Sequence, residues 1–283
     1  MTATASAAHA ASAPPHAPLP PPEPAPPAAI ACDRVVKVYA REGGATRAVD
    51  GLSFAVAAGE YVCIIGRTGC GKSTTLNLLL GLQRPTAGSV RVLGRDPHAE
   101  FDALRGRLSC IFQGDRLLPW RSLLDNVRLP LEILGLDETA LEVRPRDWLR
   151  RVGLDGYADA LPAQVSGGMR QRAAMARALA SDPRIVLADE AFGHLDEVTG
   201  QRIKADFRAL VRDTCKTVLH ITHSIEEAIA MADRILVMGG GRLWAAHETE
   251  AAAQAAGGTE ALRRLLYAQV QEAGEAAPGA AHG

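Results

Sequence analysis

No stretch of the 283 residues approaches the run of about 20 apolar residues that a membrane-crossing helix needs, so any membrane role is expected to be peripheral. An excess of charge is missing too. With 31 Lys and Arg against 32 Asp and Glu, the formal net charge is −1, which argues against broad electrostatic capture of nucleic acid or anionic lipid. The five cysteines (Cys32, Cys63, Cys70, Cys110 and Cys215) are scattered, with no C-x-x-C pair and no metal-ligand spacing. Three of them fall in apolar strand-like runs or in a glycine loop, the pattern of reduced thiols used as small hydrophobes in a cytoplasmic protein. Residues 1–29 lack a basic start and an uninterrupted apolar stretch, so they are no secretory signal. They are almost entirely Ala, Pro, Ser, Thr and His, a composition that predicts a disordered leader. What remains is 47% hydrophobic and 22% charged overall, enough to bury a sizeable core in one large domain or two small ones.

The most informative stretch that is present runs from Gly66 to Thr74, GRTGCGKST. An apolar run, Tyr61 to Ile65, precedes it, and leucines at helical spacing follow from Thr75 to Leu82. Strand, glycine loop and helix together turn G-x-x-x-x-G-K-[ST] into a P-loop expectation. Gly66, Gly69 and Gly71, with Arg67, Thr68 and Cys70 between them, let the backbone curl around phosphates. The helix N-terminus behind them, through Ser73 and Thr74, offers free N–H groups and the positive end of a dipole. Lys72 is then expected to reach the β- and γ-phosphates and the Ser73 hydroxyl to hold Mg²⁺. These residues predict binding of a nucleoside triphosphate.

Along the chain, ordered structure is expected from near Ile30. Arg34 to Tyr39 alternates like a strand, and Ala48 to Val56 like its partner across a long hairpin connection containing Gly43-Gly44. On pattern alone Tyr39 reads as a packing residue. Ser89 to Leu93 and Leu108 to Phe112 read as further strands. From Leu123 to about Leu154 the pattern is helical, with breaks expected at Pro130, Gly135 and Pro145. Alternation then resumes: a helix from the glycines at 167–168 to about Leu179, a strand from Arg184 to Ala188, a helix from Val198 to Arg212 and a strand from Thr217 to Thr222. A short helix to about Ala232, a hairpin from Ile235 to Ala245 across three glycines, and a helix from Glu260 to Gln271 complete the sequence. Leu262, Leu265, Leu266 and Val270 are expected on one face of that last helix, with frayed residues after it. Strands alternating with helices imply an α/β fold with a mostly parallel sheet.

Two further groups carry chemistry. Asp189-Glu190 ends an apolar strand, where Asp189 could hold Mg²⁺ through water and Glu190 could polarise an attacking water as general base. Val165 to Arg172, VSGGMRQR, places Ser166, Gly167 and Gly168 at a helix N-terminus. That is either an ordinary N-cap followed by glycines or a second phosphate cradle, one that serves another molecule's nucleotide.

The order of GRTGCGKST, Gln113, VSGGMRQR, Asp189-Glu190, the Gly193-His194-Leu195-Asp196 stretch and His223 resembles the ATP-binding subunits of ABC transporters, over roughly Ile30 to Ala246. The resemblance implies a P-loop NTPase core with an N-terminal antiparallel β region and an inserted helical subdomain at about 114–178, then a C-terminal helix and tail over 247–283. It implies a head-to-tail dimer, with each ATP held by one subunit's P-loop and the other's Ser166-Gly167-Gly168. Tyr39 becomes the residue that stacks on adenine. Gln113 contacts Mg²⁺ and the attacking water, Asp196 crosses the dimer interface, and His223 touches the γ-phosphate and holds Glu190. Membrane-spanning permease subunits and, indirectly, a periplasmic solute-binding protein are the implied partners. The implied location is peripheral, on the cytoplasmic face of the inner membrane.

Leu117-Leu118-Pro119-Trp120-Arg121 and His223-Ser224-Ile225-Glu226-Glu227-Ala228 resemble the nitrate, sulfonate and taurine importers, although Trp120 reads equally as a buried anchor of the helical subdomain. Val165, Ala191, His194, Ser224 and Arg67 depart from the family pattern, but none removes a catalytic group, so an active ATPase is expected. Three competitors use the same motor. A soluble ABC ATPase acting on DNA or ribosomes usually carries tandem domains or coiled coils, which are missing here. An exporter ATPase has the same fold. A monomeric P-loop kinase leaves VSGGMRQR without a use.

Overall fold

The computed structural model describes residues 28–41, 44–192 and 197–276. Two sheets organise them. A three-stranded antiparallel sheet, in order β2-β1-β4, joins β1 (Ile30–Arg41), β2 (Gly44–Val56) and β4 (Ala87–Val92). The strands β1 and β2 are longer than expected and pair as far as Arg41 and Gly44. Their connection is therefore two residues, 42–43, which lie outside the described residues, and not a long loop.

The second sheet has six strands in the order β5-β6-β7-β3-β8-β9. Here β3 (Tyr61–Ile65), β5 (Leu108–Ile111), β6 (Ile185–Asp189), β7 (Thr217–Thr222) and β8 (Arg234–Gly239) run parallel, and β9 (Arg242–Glu248) returns antiparallel at one edge. The central strands YVCII and TVLHIT are buried at every position, as continuous apolar runs must be when a parallel sheet is covered on both faces. The period of two still sorts their side chains. Val62 and Ile64 face the core shared with the antiparallel sheet, while Tyr61, Cys63 and Ile65 face the helices.

The helices are α1 (Lys72–Leu79), α2 (Leu123–Leu134), α3 (Glu138–Arg151), α4 (Gly167–Ala180), α5 (Glu197–Asp213), α6 (Ile225–Met231), α7 (Thr249–Ala256) and α8 (Thr259–Glu275). Of the three expected breaks only Gly135 is real, in the left-handed conformation that ends α2. Pro130 and Pro145 lie inside α2 and α3. An interior proline costs about 3 kcal/mol. Here the burial of Leu123, Val127, Leu131, Trp148 and Leu149, together with Ser122 and Asp137 as N-caps, offsets that loss.

Helix α7 has no counterpart among the sequence expectations. In α8, Leu262, Leu266 and Ala273 are buried, but Leu265 is 38% exposed and does not share their face. Helix α8 runs past Gln271 to Glu275, and the final residues expected to fray, 277–283, lie outside the described residues. A Cβ added to Gly274 would lie 2.3 Å from Cδ of Arg67, so the P-loop arginine lies directly against the last turn of α8.

Candidate active site

The register of the parallel strands sets the site. Ile111 stands beside Ala188, Asp189 beside Ile221, and Ile65 beside Thr222. The residues that follow β3, β5, β6 and β7 therefore emerge side by side at the carboxyl edge of the sheet, where ligands of open α/β sheets bind. Those residues are the P-loop, Gln113, Glu190 and His223.

The P-loop is built by close approach. A Cβ on Gly66 would sit 2.2 Å from the Met238 carbonyl oxygen, so only glycine lets the loop leave β3 against β8. Gly71, at φ 105°, caps α1 in the left-handed region, and a Cβ there would meet the Ala48 carbonyl oxygen at 2.4 Å. Gly71 has no side chain to cap the helix and α1 has no acid in its first turn, so its positive end is uncompensated. Lys72 is buried and donates from Nζ to the carbonyls of Gly66 at 2.7 Å and Arg67 at 3.0 Å. Arg67, Thr68, Gly69 and Ser73 are exposed, Thr74 is half-buried, and Cys70 is buried with its thiol pushed up by desolvation. This arrangement can take an anion with several oxygens.

Beside it, Glu190 sits between two partners. Gln113 donates from Nε2 to its Oε2 at 3.0 Å, and His223 Nδ1 lies 3.3 Å from its Oε1. Glu190 itself has φ 47°, a left-handed conformation that costs about 1–3 kcal/mol in a non-glycine residue and persists only where the surroundings enforce it. Its N–H is held by the Ile221 carbonyl at 2.8 Å. The Asp189 carboxyl is held above the usual carboxylate range by its burial and then by the charge of Glu190, while Arg116 and Lys72 pull the other way. Two adjacent carboxylates at the mouth of a basic loop can bind a cation and accept a proton from water.

Ser166 caps α4, its hydroxyl accepting the Met169 N–H at 3.3 Å. Ser166 and Gly167 are exposed, Gly168 is half-buried, and α4 packs chiefly against α2, α3, β5 and α5. No hydrogen bond among the described residues joins this cradle to the P-loop of the same chain.

Residues 49–193 match the ABC transporter family. The taurine import ATP-binding protein TauB of Burkholderia thailandensis is 40% identical over 240 residues, 84% of this chain and 90% of that protein. The chain belongs to the ABC transporter family. Among further relatives of this ABC ATPase, the methionine import ATP-binding protein MetN of Cereibacter sphaeroides is 42% identical over 76% of this chain and 63% of that protein. The dimeric, post-hydrolysis structure of the ATP-binding cassette MJ0796 bound to ADP and Pi matches with a TM-score of 0.69 and 31% identity, over 78% of this chain and 98% of that one.

The ABC ATPase structure thus brings together the P-loop, Gln113, Asp189, Glu190 and His223, and leaves Ser166, Gly167 and Gly168 apart from them. Asp196, with Gly193, His194 and Leu195, lies outside the described residues. Tyr39 is half-buried on β1, its hydroxyl donating to Gln83 Oε1 at 2.5 Å and Lys37 Nζ lying 5.2 Å from its ring centroid. Trp120 is 73% exposed and anchors nothing; Leu117, buried, is the residue of that segment that enters the core.

Sequence reasoning missed the wiring of the site. Arg170 donates from Nε to Asp115 at 2.9 Å, and Arg177 donates to the carbonyls of Asp115 and Arg116 at 2.7 and 2.6 Å. Gln171 donates from Nε2 to the Ala191 carbonyl. Helix α4 therefore grips both the loop after Gln113 and the loop after Glu190. The spacing of Arg170 and Arg177 along one face of a helix was visible, but the carbonyls they serve belong to residues far away in sequence. No helix among the described residues is long and apolar enough to cross a membrane.

Proposed function

We propose that this ABC ATPase is the energy-coupling subunit of an importer, working as a head-to-tail dimer on the cytoplasmic face of the inner membrane. The observation that carries the hydrolytic part is the Glu190 carboxylate held between Gln113 and His223 at the edge of the P-loop. In this reading Glu190 takes the proton of the attacking water. Gln113 and His223 aim the carboxylate and the water, and with Nδ1 turned to Glu190 the other ring nitrogen of His223 is left for the γ-phosphate.

Lys72 and the open N-terminus of α1 bind the β- and γ-phosphates, with the backbone from Gly66 to Thr74 wrapped around them, and Tyr39 takes the adenine. Ser73, Gln113 and Asp189 would hold Mg²⁺, which neutralises phosphate charge as hydrolysis proceeds. Exposed Ser166 and Gly167 and half-buried Gly168, with no hydrogen bond to their own P-loop among the described residues, serve the nucleotide of a second copy, with Asp196 crossing the interface. Residues 30–246 form the ATP-binding domain, with the helical subdomain at about 114–178.

Closure of the dimer moves α4, and through Asp115 and Arg116 the segment Leu117 to Arg121, whose Trp120 is displayed to solvent. That segment is where the permease docks; a periplasmic binding protein delivers the solute from the other side. The TauB relatives, at about 40% identity, support taurine, sulfonate, nitrate or a similar small solute. MetN at 42% identity supports methionine as the second reading. The choice is made in the permease and binding protein, which contact the solute.

The test is Glu190→Gln, expressed with a tag in the native host and purified in mild detergent with ATP and Mg²⁺. The variant should bind ATP and lose hydrolysis by a factor of about 10² to 10⁴. It should copurify with a polytopic membrane protein, whose identity narrows the solute. Companions confined to ribosomal or DNA-repair proteins would overturn the importer reading.

A further inference from the structure

We propose that Glu227 is a positioning residue for His223, acting through a ring of hydrogen bonds that ties down the residues on both sides of the histidine. The proposal rests on the hydrolytic reading of Glu190 and His223 given above. Glu227 is only 5% exposed, and a buried carboxylate must have its acceptors filled. The Thr222 hydroxyl donates to its Oε2 at 2.8 Å, and Lys204 of α5 donates to its Oε1 at 3.4 Å. The same Thr222 oxygen accepts the Ser224 N–H at 3.0 Å, and the Ser224 hydroxyl accepts the Glu227 N–H at 3.1 Å.

In an ordinary capping box the glutamate reaches back to the N-cap N–H itself. Here the hydroxyl of Thr222, which is 1% exposed, stands between them, and His223 is the residue the ring encloses. The imidazole has no such support of its own. Its side chain is 61% exposed and its contact through Nδ1 with Glu190 Oε1 at 3.3 Å is the only polar contact it makes among the described residues. The direction of His223 is therefore set from below, by the fixed peptides at Thr222 and Ser224. A carboxylate suits position 227 because it accepts from a hydroxyl and an ammonium at once. A glutamine would offer one acceptor and set N–H against a donor. Through Lys204 the ring is also joined to α5, the helix that follows the residue 193–196 segment. Fully buried His220, with Nε2 at 3.9 Å from Glu227 Oε2, stands outside hydrogen-bond reach of the ring.

Thr222→Val removes the hydroxyl while keeping a β-branched side chain suited to β7. It should lower kcat for ATP hydrolysis by about 10- to 100-fold while KM for ATP stays within about 2-fold, because misdirection of a catalytic group acts on the chemical step. Thr222→Ser, which keeps the hydroxyl, should restore kcat. In a His223→Ala background Thr222→Val should cause no further loss, since its effect passes through the histidine. An unchanged kcat in Thr222→Val, or an equal fractional loss with and without His223, would overturn the proposal. If His223→Ala alone leaves kcat unchanged, the hydrolytic reading itself fails, and the proposal with it. Should Thr222→Val not fold, Ser224→Ala opens the same ring and is held to the same criteria.

Discussion

His220 sits on β7 between Tyr61, Phe192 and Cys63 with no access to solvent, and its Nε2 has no hydrogen-bond partner among the described residues. Burial, aided by the charge of Lys204, pushes its pKa from 6.5 down to about 3, so the ring is neutral and its approach to Glu227 is not an ion pair. Above pH 6.5 the ring is neutral in both the folded and the unfolded chain. As the pH falls below that, the unfolded chain takes up a proton that the folded chain refuses. Stability should then decline by up to about 1.4 kcal/mol per pH unit, down to a pH near the folded value. Urea midpoints measured at pH 7.5 and 5.5 should show the loss, and His220→Leu should flatten it. An equally steep dependence in the variant would assign the proton uptake to other groups.

At the scale of elements, α2 depends on one side chain for more than its own packing. Asn126 is fully buried. Its Oδ1 accepts the Leu118 N–H at 2.7 Å, and the two hydrogens of its Nδ2 are shared among the carbonyls of Leu118, Arg121 and Ser122 at 2.9–3.1 Å. Asn126→Ala takes the partner from the Leu118 N–H and the Arg121 carbonyl, at a cost of about 1–3 kcal/mol for each group left unpaired, while the Leu118 and Ser122 carbonyls still accept the Arg121 and Asn126 N–H groups. We expect a lower urea midpoint, with Trp120 fluorescence reporting earlier loss of its loop. A midpoint within error of the parent would mean that water replaces all these bonds.

Asn126 also marks where the sequence stops being readable. Strands β3, β6 and β7 announced themselves as apolar runs ended by Gly66, Asp189-Glu190 and His223, because burial on both faces leaves that trace locally. The helix boundaries at Pro130 and Pro145 did not, because tertiary packing outweighs a local penalty that the sequence shows plainly. Nor could Trp120 be placed: an aromatic in a loop reads the same whether it faces the core or a partner. The hydrogen bonds of Arg170, Gln171 and Arg177 to distant carbonyls leave no periodic signal. The S-x-x-E spacing of Ser224 and Glu227, a capping-box pattern, was not read from the sequence, and the insertion of Thr222 into it leaves no local signal.

For the whole molecule, the proposed head-to-tail arrangement, in which Ser166 of one copy serves the P-loop of the other, predicts an active pair of copies with two equivalent sites. Mixing separately inactive Lys72→Ala and Ser166→Arg proteins should restore hydrolysis. Each mixed dimer then keeps one site with an intact P-loop and an intact cradle, for up to about a quarter of the parent rate in an equal mixture. A mixture as inactive as its parts would mean that each nucleotide is processed within one chain, or that a single intact site does not turn over.

The contact between α8 and the P-loop joins two parts of the chain that are far apart in sequence. Gly274 leaves the space that Arg67 fills, so a larger residue at 274 would push the exposed arginine out of its present place. The final helix and the phosphate loop thus share one surface, and a disturbance of either is felt by the other through a single side chain.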